Sequence, residues 1–568
     1  MKRRSRNRRN TEPSCSIVEP ELHETPSWRL GRGRWVGYPW RMEKRTSPPT
    51  ERTPNPFIAH HADDLLGVLH GFDRIRLQGT LRCLYQPAIF QEYLNQAKVL
   101  LKDFKGFVLR TTAAVRQQAE ALARSSGRPF EYLRSVNIDK EERARLMAQG
   151  DGVREGLIGI FNCVEGCRTY RVYGNRESRK LELRLEWGKC SHLYFYVQHP
   201  RWGFLHLRLQ TWFPFLIQIC LNGHEWLARQ MDQAGLRYRR ADNRFTWIQD
   251  VAQAQALMDQ QLRTDWVGLC EELRQAYHPL HERIVQPLHG LAYYWTAPEV
   301  EFSSDLLFRE TSALERLFPR LKLHAMLHLG AEQVMNFLGK RYDERFHGDV
   351  CSDLRGRQEG FRIKHWLNGN SIKLYPCLNV LRAEVTTNDP ADLRVYRCAE
   401  HNPDGPMAWR ALRRSVADLH RRAQLSQAAN ERYLAALAAA NDTTSLAEDA
   451  LALCQPIRRE GQRHRALNPF NPQEAAWLER LNRGEWALKG FRNRDLRHLA
   501  FGPTSDPLAR RRQAAQITRR LALYRAHGLV AKVSRTHRWM LTAKGRRLIS
   551  ALLAARNAST DRLISLAA

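Results

Sequence analysis

Acidic residues are scarce beside basic ones: 59 Asp and Glu stand against 90 Lys and Arg, a formal charge of +31 on 568 residues. A surplus that large excludes a self-neutralised surface and points to a polyanionic partner, nucleic acid first. Cysteine is thin and without motif. The eleven residues, an odd number from Cys15 to Cys454, form no Cys-x-x-Cys pair, which excludes a disulfide-stapled fold and fits a reducing, cytoplasmic setting. Long apolar runs are missing too. The longest uncharged one, residues 211–223, holds Pro214 and Asn222 and is shorter than the ~20 residues that span a bilayer, so no membrane partner is expected. The basic start is followed by Thr11, Glu12, Pro13 and Ser14, where a secretory signal needs an apolar stretch. There is no phosphate-binding G-x-x-x-x-G-K-[ST] loop, no G-x-G-x-x-G after a strand, no H-E-x-x-H and no G-x-S-x-G. ATPase, dehydrogenase, zincin and α/β-hydrolase readings therefore lose their usual warrant.

What is present folds. Apolar residues at 43% and charged ones at 26% match an ordinary globular chain, and the length calls for several folded units. The positive charge is segregated. Residues 1–60 carry 13 Lys and Arg against 6 Asp and Glu, and residues 484–556 carry 17 against 3, so two short stretches are built for polyanions and the middle is nearly balanced. Residues 1–56 mix arginines with prolines and have no apolar period, reading as a basic disordered arm.

Patterning divides the remainder. Residues 57–150 read as a mostly helical domain, preceded by a short strand-like stretch at 73–80. Residues 151–400 read as a central α+β region: β-prone runs at 157–164, 168–173, 180–186, 190–197 and 204–211 form an antiparallel meander, with the Gly174 and Asn175 turn between them. Strands at 291–296 and 301–308 and a helix at 311–328 follow. A second β group at 362–367, 371–375, 381–387 and 393–397 is joined at Asn368 and Gly369, a strong hairpin signal. Residues 401–467 are a helical connector, 468–558 a C-terminal module and 559–568 a tail. The class is multidomain α+β, with antiparallel sheets plus helices in the centre and a winged helix-turn-helix at the C-terminus.

The C-terminal module rests on element order: helix to about 481, strand 486–489, helices 493–500 and 508–527, Gly528, strand 529–533, turn 534–537, strand 538–542 and helix 543–555. The stretch from Tyr524 to Val530, with His537 to Thr542 and Gly545, resembles winged-helix regulators of the multiple-antibiotic-resistance type, and the resemblance implies DNA binding. On the long helix Ala514, Ile517, Leu521 and Tyr524 share one face at helical spacing. The opposite face carries Arg512, Gln516 and Arg519, long enough to reach base edges. Arg511 and Arg520 are placed to flank phosphates, and Lys532, Arg535, His537 and Arg538 to touch the backbone or minor groove from the hairpin. DNA is favoured over RNA, and the central α+β region is left for a partner, a ligand or homodimer formation.

Three constellations in the middle are candidates for chemistry. Asp73, Asp305 and Glu384 each sit in an apolar, β-prone context, where a charge is costly unless paired or metal-bound. They could hold Mg²⁺ or Mn²⁺ in a nuclease or recombinase of mobile-element type; the plainer reading is ion pairing, as of Glu384 with Lys364 or Lys373 across a hairpin. Cys163, Cys167, Cys190 and His192 have zinc-capable side chains, although buried structural cysteines look the same. Tyr194, Tyr196, Trp202, Phe204, His206, Arg208 and Trp212 interleave aromatic and basic residues over the 190–212 meander, which on an open sheet face would stack RNA bases.

Residues 72–74, 79–82, 101–104, 177–183, 206–215, 222–229, 242–243 and 490–495 together resemble a family of uncharacterised bacterial proteins over nearly all of the chain after residue 60. The resemblance implies no reaction. Where that family's pattern reads Tyr-Asp-Lys, this chain has Tyr375, Pro376 and Cys377.

Overall fold

The structure, a computed structural model, describes residues 55–559 except 279, 288–290, 341–345, 347, 358–359, 400–401, 403–404, 442–445, 484, 487–489 and 534–535. All but the last two residues of the expected arm, the expected strand at 486–489 beyond Trp486, Arg535 of the expected hairpin and residues 560–568 of the expected tail lie outside the described residues.

An eleven-stranded sheet organises the chain. In sequence its strands are β1 Leu65–Thr80, β2 Phe130–Leu133, β3 Gly156–Asn175, β4 Lys180–His199, β5 Gly203–Gln210 and β6 Ile217–Asn222. After a separate hairpin of β7 Tyr238–Ala241 and β8 Arg244–Ile248 come β9 Tyr294–Phe308, β10 Val350–Arg357, β11 Gly360–Leu367, β12 Asn370–Cys377 and β13 Val380–Thr387. The spatial order is β10-β11-β12-β13-β9-β1-β6-β5-β4-β3-β2. Neighbours are antiparallel apart from the parallel pair β2 and β3.

The two β groups are therefore halves of one sheet, joined where β1 pairs β9. Sequence pattern reads residues 65–72 as part of a mostly helical domain, but they are the first half of the central strand β1. Such a strand has neighbours on both edges and cover on both faces, which erases the period-two signal. Gly67 and Gly71 complete the disguise: a Cβ on Gly71 would lie 2.1 Å from Met258 Cε, so glycine lets the Val251–Met258 helix lie directly on the strand. The expected pair of strands at 291–296 and 301–308 is the single strand β9, and the bulges at Phe72/Ile75 and Arg76/Gln78 of β1 take up the irregularity. The strand expected at 393–397 leaves the large sheet; Arg394–Arg397 pairs with Ala408–Ala411.

Alternation along β9, β12 and β13 sorts one face from the other. Leu306, Ile372, Leu374, Leu381, Ala383 and Val385 face the helices Thr311–His328, Ala331–Phe337 and Leu419–Leu437 and form a core with them. The residues between them, Glu301, Ser303, Asp305, Lys373, Tyr375, Arg382 and Glu384, share the opposite face by the same period.

At the C-terminus the helices Pro472–Leu481, Asn493–Phe501, Pro507–Ala526 and Ala543–Asn557 surround a small sheet. Its order is Phe491–Arg492, Arg538–Leu541, Val530–Lys532. The core of this module includes Trp477, Leu478, Phe491, Leu496, Ile517, Leu521, Tyr524, Leu548 and Ile549. Among the described residues no helix is long and apolar enough to cross a membrane.

One position couples fold to site. Asn222 caps the Gly223–Gln233 helix, its Oδ1 accepting from the backbone N–H groups of His224 and Glu225 at 2.8 and 3.1 Å. A Cβ on Gly223 would come within 2.0 Å of the Phe72 carbonyl oxygen. Gly223→Ala must push the helix away from β1 beside Asp73, and urea denaturation is expected to show a loss of about 3 kcal/mol.

Candidate functional site

Register places the polar residues in rows. Tyr375 pairs with Arg382, which pairs with Asp305; Lys373 pairs with Glu384, which pairs with Ser303. Arg382, only 1% exposed, donates from Nε and Nη2 to the two oxygens of Asp305 at 2.7 and 2.6 Å and from Nη1 to Asp73 at 2.7 Å. Its Nη2 also reaches the Asn243 carbonyl at 2.9 Å. Asn243 sits in the β7–β8 turn, and its amide donates to Asp73. His224, wholly buried, stands 3.6 Å from both aspartates. Burial alone would raise the Asp73 carboxyl, but the Arg382 guanidinium, His224 and Asn243 hold it far below the usual carboxylate range.

One row on, Glu384 accepts from Lys373 and, at 2.5 Å, from the Tyr375 hydroxyl. Lys373 also donates to Glu301 at 3.0 Å, and Arg74 pairs with Glu301 at 3.2 Å. Burial and the charge of Glu384 push Glu301 up. Burial, with Glu384 beside it, pushes the Tyr375 phenol well above its ordinary value. Arg244 of β8 lies over the Tyr375 ring, 5.3 Å from its centroid.

The expected trio is thus only partly assembled. Asp73 and Asp305 meet around a guanidinium, while Glu384 makes the ion pair with Lys373 that strand pairing suggests. Among the described residues, the only His, Cys, Asp or Glu group of three or more whose ligand atoms lie within 4.8 Å of one another is Cys167, Cys190 and His192. A divalent ion at the aspartates would have to displace Arg382. Sequence reasoning misses Arg382, His224 and Asn243. The available signal is a basic residue two positions before Glu384 on the same strand face; the reach from β1 to β13 has no local signature.

The long C-terminal helix presents its charge outward. Ile517, Leu521 and Tyr524 are buried and Ala514 half-buried, as the spacing predicts, and Arg511, Arg512, Gln516 and Arg519 are exposed. Lys532 and His537 are exposed, and Arg538 is half-buried. Arg520 differs from expectation. It turns back to Glu474 at 3.4 Å and stacks over Trp477 at 4.5 Å, so it joins this helix to the Pro472–Leu481 helix and is not placed to flank a phosphate.

The aromatic meander also needs correcting. Tyr196, Trp202 and Trp212 are each 2% exposed and Phe204 6%. Phe161, Tyr194, Tyr196 and Phe204 form a core with Ala144 of the Lys140–Gly150 helix, while Trp202 packs on Trp226 and Trp266 and Trp212 on Phe104 and Phe107, so these rings are not open for base stacking. Glu165 accepts from Tyr194 and pairs with Arg208 at 2.7 Å, and Lys140 lies 3.4 Å from it. His192 is pushed down to about 4 by burial and by Arg208. Cys163 and His192 are direct cross-strand partners, yet only Cys167, Cys190 and His192 of the four expected zinc ligands cluster.

No protein-family model matches the chain, and comparison with curated proteins and with solved structures finds no match.

Proposed function

We propose that this chain is a DNA-binding protein that contacts duplex DNA through its C-terminal module, read as a winged helix. The observation that carries the proposal is the Pro507–Ala526 helix, apolar on its inner face and exposing Arg511, Arg512, Gln516 and Arg519 on its outer one. Element order and sheet order support the same reading. A short strand precedes two helices, the second of which leads into a two-stranded hairpin, the arrangement in which that second helix enters a major groove. Its N-terminal residues would meet base edges, and Lys532, His537 and Arg538 from the hairpin would lie along the backbone. The arginine-rich residues 1–56 would add affinity without sequence preference.

Removal of residues 470–568 tests the proposal. Affinity for duplex DNA should collapse, and its dependence on salt should flatten to that of the remaining arm; an unchanged affinity and slope would overturn it. Nuclease or recombinase activity at Asp73, Asp305 and Glu384 is the lesser reading, because Arg382 and Lys373 already neutralise those carboxylates. It requires plasmid cleavage with Mg²⁺ or Mn²⁺ that is lost in Asp305→Asn.

A further inference from the structure

The Cys167, Cys190 and His192 cluster lies in the other half of the sheet from the ionic rows and does not depend on DNA binding. On β3 and β4, Cys163 pairs with His192 and Glu165 with Cys190. By the two-residue period, Cys163, Cys167, Cys190 and His192 therefore share one face. The sulfurs of Cys167 and Cys190 are 3.2 Å apart, and a ring nitrogen of His192 lies with them inside a 4.8 Å span.

His192 is the decisive residue. It is fully buried, and its Nδ1 lies 3.2 Å from the Cys190 carbonyl oxygen, while its Nε2 has no hydrogen-bond partner. A buried imidazole nitrogen left unpaired costs free energy. If Nδ1 donates to the carbonyl, the lone pair stands on Nε2, the tautomer that metal-bound histidines adopt when a backbone carbonyl orients them.

From this juxtaposition we infer that Cys167, Cys190 and His192 form a binding site for a zinc ion, with three protein ligands and a fourth position open to water or another small ligand. Two thiolates and an imidazole suit Zn²⁺; Mg²⁺ and Ca²⁺ demand oxygen ligands. Two sulfurs about 2.3 Å from a tetrahedral ion stand about 3.8 Å apart, so binding asks the pair to open by roughly half an ångström. Cys190 is not fully buried, which gives the ion an approach. Cys163 shares the face but lies outside the cluster, and the assignment leaves it unligated.

The test uses the full chain, stripped with a chelator under reducing conditions and then offered Zn²⁺ or Co²⁺. One equivalent should be retained through gel filtration, and the cobalt form should show the near-ultraviolet absorption of thiolate-to-cobalt charge transfer. Cys167→Ser, Cys190→Ser and His192→Ala should each weaken binding at least tenfold, whereas Cys163→Ser should bind as the native chain does. Far-ultraviolet circular dichroism of each stripped variant checks that the fold survives; a serine variant that is folded and still binds normally would overturn the assignment. So would a native chain that retains no metal, or one whose mass shows Cys167 and Cys190 oxidised to a disulfide under the same reducing conditions.

Discussion

Arg382→Ala should destabilise the protein by about 3–5 kcal/mol at pH 7. Removing one partner of a buried ion pair leaves uncompensated charge behind. Here it leaves two carboxylates, Asp73 and Asp305, which Arg382 bridges at 2.7 and 2.6 Å, and it unties β1, β9, β13 and the β7–β8 turn from one another. Arg382→Lys should recover only part of the loss, because an ammonium cannot present the fork that grips both oxygens of Asp305. The pH dependence carries the sign. In the native chain the folded Asp73 carboxyl is held below its unfolded value. Its contribution is thus fully present above the unfolded value near 4 and is lost as pH falls through the lower folded one. Without Arg382 the strongest influence that lowers Asp73 is gone, only His224 and Asn243 remain against burial, and its folded carboxyl rises. The variant should therefore gain stability relative to the native chain as pH is lowered from 7 towards 5. Urea denaturation of both proteins at the two pH values measures this; a deficit independent of pH would show that Arg382 acts through packing alone.

Arg512→Ala with Arg519→Ala should lower duplex affinity about a thousandfold if both side chains make bidentate base contacts at about 2 kcal/mol each. Arg511→Ala should instead reduce the salt slope by about 0.9, the signature of one lost phosphate contact, and weaken all sequences alike. Gln516→Ala should relax sequence preference more than it lowers affinity for random DNA. Arg520→Ala is the internal control. Because Arg520 is held by Glu474 and Trp477, its loss should lower the melting temperature of the module and leave the salt slope unchanged. Fluorescence anisotropy with one labelled duplex, repeated over a range of salt, separates these outcomes.

Legibility from sequence follows how local each signal is. The Asn368 and Gly369 turn is legible because Asn368 takes a positive φ of 52°, which asparagine tolerates well, and β11 and β12 close on it with Leu367 opposite Asn370. The long helix is legible because its apolar face keeps helical spacing through Ile517, Leu521 and Tyr524. The extent of β1 is not legible, since burial on both faces removes alternation and its glycines answer to a helix far along the chain. Asp73, Asp305 and Glu384 could be flagged as charges in apolar strands. Their cationic partners could be only half named: Lys373 lies across a hairpin, whereas Arg382 reaches Asp73 through a pairing of strands distant in sequence. The covered rings of the meander belong to the same class of miss, because the Lys140–Gly150 helix over Tyr196 and Phe204 and the Phe104–Ser125 helix against Trp212 follow no rule readable at residues 190–212.

The proposed role of the C-terminal helix is to bind duplex DNA through its segregated positive charge. Its most direct test is the affinity of the intact chain for duplex DNA across salt, set beside that of the Arg512→Ala, Arg519→Ala double variant. Native affinity should fall steeply and log-linearly with salt, and the double variant should be weaker at every salt concentration. Equal binding by the two proteins, or native affinity indifferent to salt, would contradict it.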